Sequence, residues 1–192
     1  MCDPALPASQ AKVAWRPEFI PTAIILAPAP QRFRGATKLS ALKRGTTLDD
    51  RTGLDGRHIV LADPREAHRV WIREPASQQP MAVVIPLDDD FPLRVAGALR
   101  FRRWLEHTPS GSLPRSLQLT KRYRDRLVLM LHALDMSRGH ASYREITAAL
   151  FGEKAVLEHG WKTLPVRGRT IRLVHDAKAM VDRGYLKLLR GG

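Results

Sequence analysis

The sequence predicts an α+β protein, with a small antiparallel N-terminal sheet and a packed helix, followed by an all-α, helix-turn-helix-like C-terminal domain. Short runs rich in valine, isoleucine and tryptophan occupy residues 57–85, with turn-forming residues between them. Three helical patterns with basic faces follow over residues 120–183. We expect a flexible arm at 1–12, a β-rich region at 13–107, a linker at 108–117 and the helical domain at 118–192.

The strands of the β-rich region are predicted at residues 57–62, 68–73 and 81–85, with a further short strand at 22–27 between prolines. Residues 31–56 are basic and carry no regular pattern, so we expect an irregular segment there. A sheet of so few strands is only marginally stable alone and must pack against another element. A helix predicted at about 92–106 has an apolar side that suits this packing. Its arginines, which we leave to solvent or nucleic acid, are Arg94, Arg100, Arg102 and Arg103.

The first helix of the C-terminal domain is predicted over residues 120–135. Its apolar stripe follows the three- and four-residue spacing of an amphipathic helix and consists of Tyr123, Leu127, Met130, Leu131 and Leu134. Basic residues crowd its first turns, where the helix dipole favours an anion, and we assign Arg122 to DNA phosphate. The alternative interpretation of this charge run is a solvated face.

The second helix begins with a capping box, in which Ser142 and Glu145 satisfy each other's exposed backbone donors. Tyr143 and Ile146 are predicted to face inward, and Gly152 to supply the left-handed residue that ends the helix. A helix in this place suits the supporting helix of a helix-turn-helix, which crosses the DNA backbone. Arg144 on this helix is therefore a predicted DNA contact.

The third helix is predicted to begin near residues 167–169 and to end at Arg183, with Gly184 as its cap. Its inward side is predicted to contain Ile171, Val174, Ala177, Lys178 and Val181. Arg169 and Arg172 share another face, so they are the leading candidates for contact with base edges, with Thr170 beside them. Lys162 and Thr163 in the preceding loop suit phosphates. The alternative is that these arginines only make an amphipathic helix soluble.

A long connection, of about fifteen residues from 153 to 167, separates the second and third helices, whereas the usual turn has three or four. Leu157, Trp161 and Leu164 could fold it back as a short extra helix. The motif would then be a helix-turn-helix variant, which leaves open which helix enters the DNA groove.

Positive charge is the unusual feature of the composition, since the 192 residues carry a net charge of +13. Residues 115–192 hold 16 basic and 7 acidic residues, a net +9, and residues 1–114 hold 16 and 12, a net +4. Such an excess implies a polyanionic partner, and its C-terminal position favours double-stranded DNA. We see no aromatic strand motif for stacking RNA bases, and no run of 18 apolar residues for a membrane.

Enzymatic chemistry has little support in the sequence. The 7 histidines show no metal-ligand spacing, and no glycine-rich phosphate loop or nucleophile elbow is present. The single cysteine, Cys2, excludes a disulfide or a cysteine zinc site within one chain. The triplet at 88–90 suits a helix start better than a metal. We therefore predict no catalytic activity, metal or cofactor, and a cytoplasmic location because no export segment is evident.

Several dispersed motifs in the same order resemble the bacterial family called domain of unknown function 2285. They are Ala82 to Asp88, Pro92 to Arg94, Ala141 to Ile146, Ala149 to Gly152, Trp161 to Thr163, Arg169 to Val174, and Gly184 with Tyr185. The resemblance implies a regulator associated with conjugative elements. Members of that family include activators resembling helix-turn-helix proteins and antiactivators that bind such an activator instead of DNA.

Two hypotheses follow from these patterns. The first is a DNA-binding transcriptional regulator with a variant helix-turn-helix. The second is a protein-interaction module that binds a related regulator, or a further copy of itself, through the sheet and apolar residues near Trp71 and Trp104. The basic C-terminal half favours the first hypothesis, because a decoy does not need so many arginines.

Overall fold

The structure, a computed structural model, describes residues 15–33, 35–157 and 164–191, which divide after Leu117 into two compact units. The arm predicted at residues 1–12 lies outside the described residues, as do Trp161, Lys162 and Thr163. Strands come first along the chain and the longer helices follow. The predicted α+β fold class is confirmed.

The first unit is built on a five-stranded sheet in the order β2-β3-β4-β1-β5. Its strands are β1 Ile24–Pro28, β2 Thr47–Gly53, β3 Gly56–Leu61, β4 His68–Ile72 and β5 Met81–Val84. Neighbouring strands are antiparallel except β1 and β4, which pair in parallel with Ile25 opposite Trp71. The sheet is therefore larger than predicted, because β1 lies between β4 and β5 and β2 adds a further strand beside β3.

Strand β2 occupies part of the segment that the sequence predicted to be irregular. Its residues are mostly polar and largely exposed, so it lacks the apolar alternation by which strands are recognised. The strand is held by pairing with β3 and by Arg57, whose Nε donates a 2.8 Å hydrogen bond to Asp50. The prediction of an irregular segment was thus wrong at 47–53.

Helix α1, Phe91–Leu105, packs over the sheet. Buried residues of this core include Ile24, Leu61, Val70 and Phe101. Gly97 permits the close approach, because a Cβ added there would lie 2.9 Å from the carbonyl oxygen of Thr22.

Two arginines of α1 are buried, although both were predicted to face solvent or nucleic acid. The Nη2 of Arg94 donates a 2.7 Å hydrogen bond to Asp88, and this bond holds the pKa of the Asp88 carboxyl below its usual value. Arg100 donates to the backbone carbonyls of Glu66 and Gly111 at 3.1 and 3.2 Å. The prediction was wrong for Arg94 and Arg100, because each side chain finds acceptors within the unit that spacing along a helix cannot show.

The second unit consists of helices. They are α2 Lys121–Arg138, α3 Tyr143–Phe151, α4 Lys154–Leu157, α5 Pro165–Ala179 and α6 Tyr185–Arg190. Its core joins α2, α3 and α5 through residues that include Met130, Leu134, Ile146 and Leu173. The predicted capping box at the start of α3 is confirmed, with Ser142 and Glu145 each accepting a hydrogen bond from the other's backbone N–H.

The buried sides of these helices are rotated from the predicted ones. Helix α5 buries Thr170, Leu173, Val174 and Ala177, and Val181 lies exposed beyond its end. Leu131 and Tyr143, predicted to face inward, are also exposed. Val174 and Ala177 were predicted to face inward, whereas Thr170 and Leu173 were not. Because α5 packs against both α2 and α3, its buried side is broader than a single apolar stripe indicates.

The end of α5 also differs from the prediction. The helix stops at Ala179, and an irregular segment, Met180–Gly184, leads into α6. The left-handed residue is Arg183, with φ of 66°, whereas Gly184 has φ of −59°. Gly184 is instead a position of close contact, since a Cβ there would lie 2.7 Å from the carbonyl oxygen of Ala179. The prediction of Gly184 as the cap was therefore wrong.

Candidate nucleic-acid interface

A groove of about 930 Å³ lies in the second unit between the first turns of α2 and the N-terminal half of α5. Its lining residues are Thr120, Lys121, Arg122, Tyr123, Asp125, Arg126, Leu129, Arg169 and Leu173. The hydroxyl of Thr120 accepts a hydrogen bond from the N–H of Tyr123 at 3.2 Å, which fixes the start of α2. The groove thus has a rigid helix on each side.

Most of the cations that line the groove are exposed. Lys121 and Arg122 show no hydrogen bond or ion pair within the part of the chain that the structure describes. Arg126 is different, because its Nη2 lies 2.5 Å from an oxygen of Asp176 on α5. That ion pair joins α2 to α5 and offsets the positive charge of Arg126. Lys121 and Arg122 on α2 therefore remain available for an external anion.

Arg169 and Arg172 are exposed on α5, and each guanidinium lies close to a neighbouring residue. The Cζ of Arg169 lies 4.5 Å from the centre of the Phe151 ring, a cation–π contact. Arg172 extends back along the helix, with Nη1 3.7 Å from the position that a Cβ on Gly168 would occupy. Arg169 thus lies in the second turn of α5 and Arg172 at the middle of the helix.

The N-cap residue of α5, Leu164, makes no side-chain capping hydrogen bond, and its carbonyl accepts a 3.1 Å hydrogen bond from the N–H of Arg167. Pro165 occupies the first helical position, where its missing N–H costs nothing. The amides and the dipole of this helix end attract negative charge, and Arg167, Arg169 and Arg172 follow within two turns. Helix α5 therefore begins in a strongly positive environment.

Thr170 lies apart from this surface. Its side chain is fully buried, and its hydroxyl lies 2.7 Å from that of Thr147 on α3. It also donates to the carbonyl of Val166 at 3.1 Å. A threonine in this position holds α3 against α5 and does not reach a ligand, so the structure gives it a packing role in place of the predicted DNA contact.

Arg144 is exposed on α3, and its Nη2 donates a 3.3 Å hydrogen bond to the carbonyl of Val156 on α4. This bond ties the short helix α4 to α3. The connection between α3 and α5 thus contains a short helix, as its length suggested, but Val156 is its buried residue and Leu157 is exposed.

Phe151 is a member of the site that was not predicted from the sequence. This residue ends α3 and was named only within the Ala149 to Gly152 motif, whereas its ring contacts the guanidinium of Arg169 on another helix. The contact spans eighteen positions of sequence and depends on how α3 and α5 pack. No local spacing signals such a contact.

The tryptophans offered as a protein-binding surface are used within the first unit. The Nε1 of Trp104 donates to the carbonyl of Ala62 at 3.1 Å, and its ring stacks on Phe101. The Nε1 of Trp71 donates to the carbonyl of Asp55 at 2.9 Å, and its ring stacks on His58. Both rings therefore stabilise the fold of this unit.

Among the described residues, no group of three or more His, Cys, Asp or Glu side chains is placed to hold a metal ion. In the same residues, no helix is both long and apolar enough to cross a bilayer.

Two protein-family models match the chain. The model described as "T6SS, Transcription factor, DNA binding domain" matches residues 84–190, just over half of the chain. A domain of unknown function, number 7012, matches residues 22–83. The resemblance to domain of unknown function 2285 was therefore wrong, and these matches contain no link to conjugative elements. No significant match was found among curated proteins or solved structures.

Proposed function

The chain belongs to the family of transcription-factor DNA-binding domains that matches residues 84–190, and from this membership we propose that its second unit binds duplex DNA through the groove between α2 and α5. The supporting observation is the set of exposed cations on both walls of that groove. Lys121 and Arg122 lie on one wall, and Arg169 lies on the other. Phosphates of a duplex are the polyanion that this arrangement fits.

The two walls have different tasks in this proposal. Lys121 and Arg122 at the start of α2 contact phosphates and set the position of the protein on the duplex. Arg169 and Arg172, on the N-terminal half of α5, contact base edges in the major groove, which admits an α-helix. The positive end of the α5 helix dipole favours a further phosphate contact. Lys162 and Thr163, which lie outside the described residues, stay predicted phosphate contacts.

The arrangement is a variant helix-turn-helix, with α5 as the recognition helix and α3 as its support. Packing of Ile146 with Leu173, together with the buried hydroxyls of Thr147 and Thr170, holds these two helices together. Helix α4 fills part of the long connection, and Arg144 anchors it. Arg144 is also exposed, so it can reach phosphate on the α3 side of the motif. This function requires no catalytic step.

We expect Arg122→Ala to weaken binding to all duplexes alike and to reduce the salt dependence of binding, because a phosphate contact carries no sequence information. Arg169→Ala and Arg172→Ala should each cost about 1–3 kcal/mol on the preferred sequence and relax sequence preference. Fluorescence anisotropy over a range of salt concentrations, on a preferred duplex and on a random one, measures both effects.

Arg102→Ala is the matched control for this experiment, since Arg102 is an exposed arginine of the first unit that pairs with Glu106 at 2.9 Å. It should leave affinity nearly unchanged. Equal losses on every sequence for Arg122→Ala, Arg169→Ala and Arg172→Ala would refute the division of tasks. Absence of duplex binding by the native chain at low salt would refute the proposed function, and capture of a homologous regulator would then favour the protein-interaction hypothesis.

A further inference from the structure

Phe151 is the last residue of α3, and its ring lies partly buried against the core of the second unit. Gly152 follows with φ of 89°, a conformation that side chains rarely adopt, and it ends the helix there. The ring is therefore held by packing and by the helix end, and it forms a rigid apolar surface beside the groove.

The guanidinium of Arg169 lies over this ring, with Cζ 4.5 Å from the ring centre. A cation is attracted by the negative face of an aromatic ring, so the contact favours one arrangement of a long side chain. An exposed arginine that lacks such a contact samples many rotamers and loses that freedom when it binds. Arg169 has already lost part of its freedom before any DNA arrives.

Stacking leaves the hydrogen-bond donors of Arg169 available. The N–H groups of a guanidinium point outward in its own plane, so a ring against its face does not block its edge. In the major groove guanine presents O6 and N7 side by side, and a guanidinium edge can donate to both. Within the described part of the chain, Lys121, Arg122 and Arg172 show no such ring contact.

Resting on the proposed DNA binding, we propose that Phe151 is a positioning residue that holds Arg169 for a two-pronged contact with one guanine and so sets the sequence preference. Phe151 does not touch the DNA in this proposal. Its effect passes through the guanidinium of Arg169, whereas Lys121 and Arg122 supply affinity without selecting a base.

The test begins with the full chain and a randomised pool of duplex DNA, from which the preferred sequence is enriched. Each guanine of that duplex is then replaced by adenine, with the pairing base changed to match, and dissociation constants are measured. For the native chain we expect one replacement to weaken binding about 10–100-fold. For Phe151→Leu the same replacement should matter less than about 3-fold, while affinity for a random duplex and the salt dependence stay as in the native chain.

Two further variants separate positioning from folding. Phe151→Tyr retains the ring and should retain the preference for guanine, whereas Arg169→Lys retains the charge and should lose it. If Phe151→Leu does not fold, Phe151→Met replaces it, since methionine fills a similar space and has no ring.

Several results would overturn the positioning role and leave DNA binding intact. They are a folded Phe151→Leu or Phe151→Met protein that still selects guanine, a folded Phe151→Tyr protein that does not, or a native chain for which no guanine matters. A native chain that binds no duplex at all would instead refute the proposed function, and this inference would fall with it.

Discussion

His68 is a buried histidine of the first unit, where it lies near Asp63, Arg100 and Ser110. Burial lowers its pKa below the usual value, and the charge of Arg100 acts in the same direction, while Asp63 opposes both. In the folded protein the imidazole therefore stays neutral at a pH where the unfolded chain is already protonated. Stability from this group is present above a pH of about 6.5 and is lost as the pH falls toward the folded pKa.

We predict that the free energy of unfolding of the first unit decreases as the pH is lowered from about 7.5 to 5, because the unfolded chain then binds a proton that native His68 does not. Urea unfolding at several pH values, followed by tryptophan fluorescence, measures this slope. His68→Gln should reduce the slope. His107→Asn is the control, because His107 is exposed in the same unit and asparagine tolerates its φ of 57°. An unchanged slope in His68→Gln would contradict the assignment.

Replacing a helical glycine by alanine is expected to change stability in opposite directions at two positions, Gly97 and Gly168. A Cβ at Gly97 of α1 would lie 2.9 Å from the carbonyl oxygen of Thr22, so Gly97→Ala must push the helix from the backbone that precedes β1 and should cost about 1–3 kcal/mol. A Cβ at Gly168 of α5 would lie 3.7 Å from Nη1 of Arg172, an ordinary contact. Gly168→Ala should therefore stabilise the second unit by about 0.5–1 kcal/mol through helix propensity.

Chemical denaturation of both glycine variants tests this pair. A Gly97→Ala protein as stable as the native chain would show that α1 does not approach Thr22 so closely. A destabilised Gly168→Ala protein would show that the start of α5 is not a regular helix.

The local sequence pattern predicted those features of helices and strands that depend only on residues close in sequence. Ser142 and Glu145 identified the start of α3, because a capping box is complete within four residues. Strand β2 was missed, since Asp49, Asp50 and Arg51 do not alternate with apolar residues and the strand depends on its pairing with β3. Burial of Arg94 and Arg100 was missed for the same reason, because their partners come from other parts of the fold.

The candidate site shows the same limit. Helical spacing predicted that Arg169 and Arg172 share the outward side of one helix, and the structure exposes both. Thr170, one residue away from Arg169, turns inward to meet Thr147. That Arg122 and Arg169 line one groove, and that Phe151 supports Arg169, follow from the packing of α2, α3 and α5, which sequence spacing does not contain.

At the scale of the molecule, each unit has a hydrophobic core of its own. The core of the first includes Ile59 and Val70, and that of the second includes Ile146 and Val174. We therefore predict two unfolding transitions in calorimetry. Ile59→Ala should lower the Tm of one transition and Ile146→Ala that of the other, because each substitution reduces the free energy of unfolding of its own unit by about 2–5 kcal/mol. A single transition that both substitutions shift would contradict separate cores.

The ion pair between Arg126 and Asp176 leaves one cation fewer to contact phosphate while a DNA-binding protein searches for its target sequence. Every additional cation that contacts phosphate lengthens the residence time of a DNA-binding protein on non-specific sequences. If the groove binds duplex DNA as proposed, we expect the internal neutralisation of Arg126 to let the chain leave unrelated sequences sooner. Slower search and longer residence at unrelated sequences are the expected cost of exchanging that aspartate for asparagine.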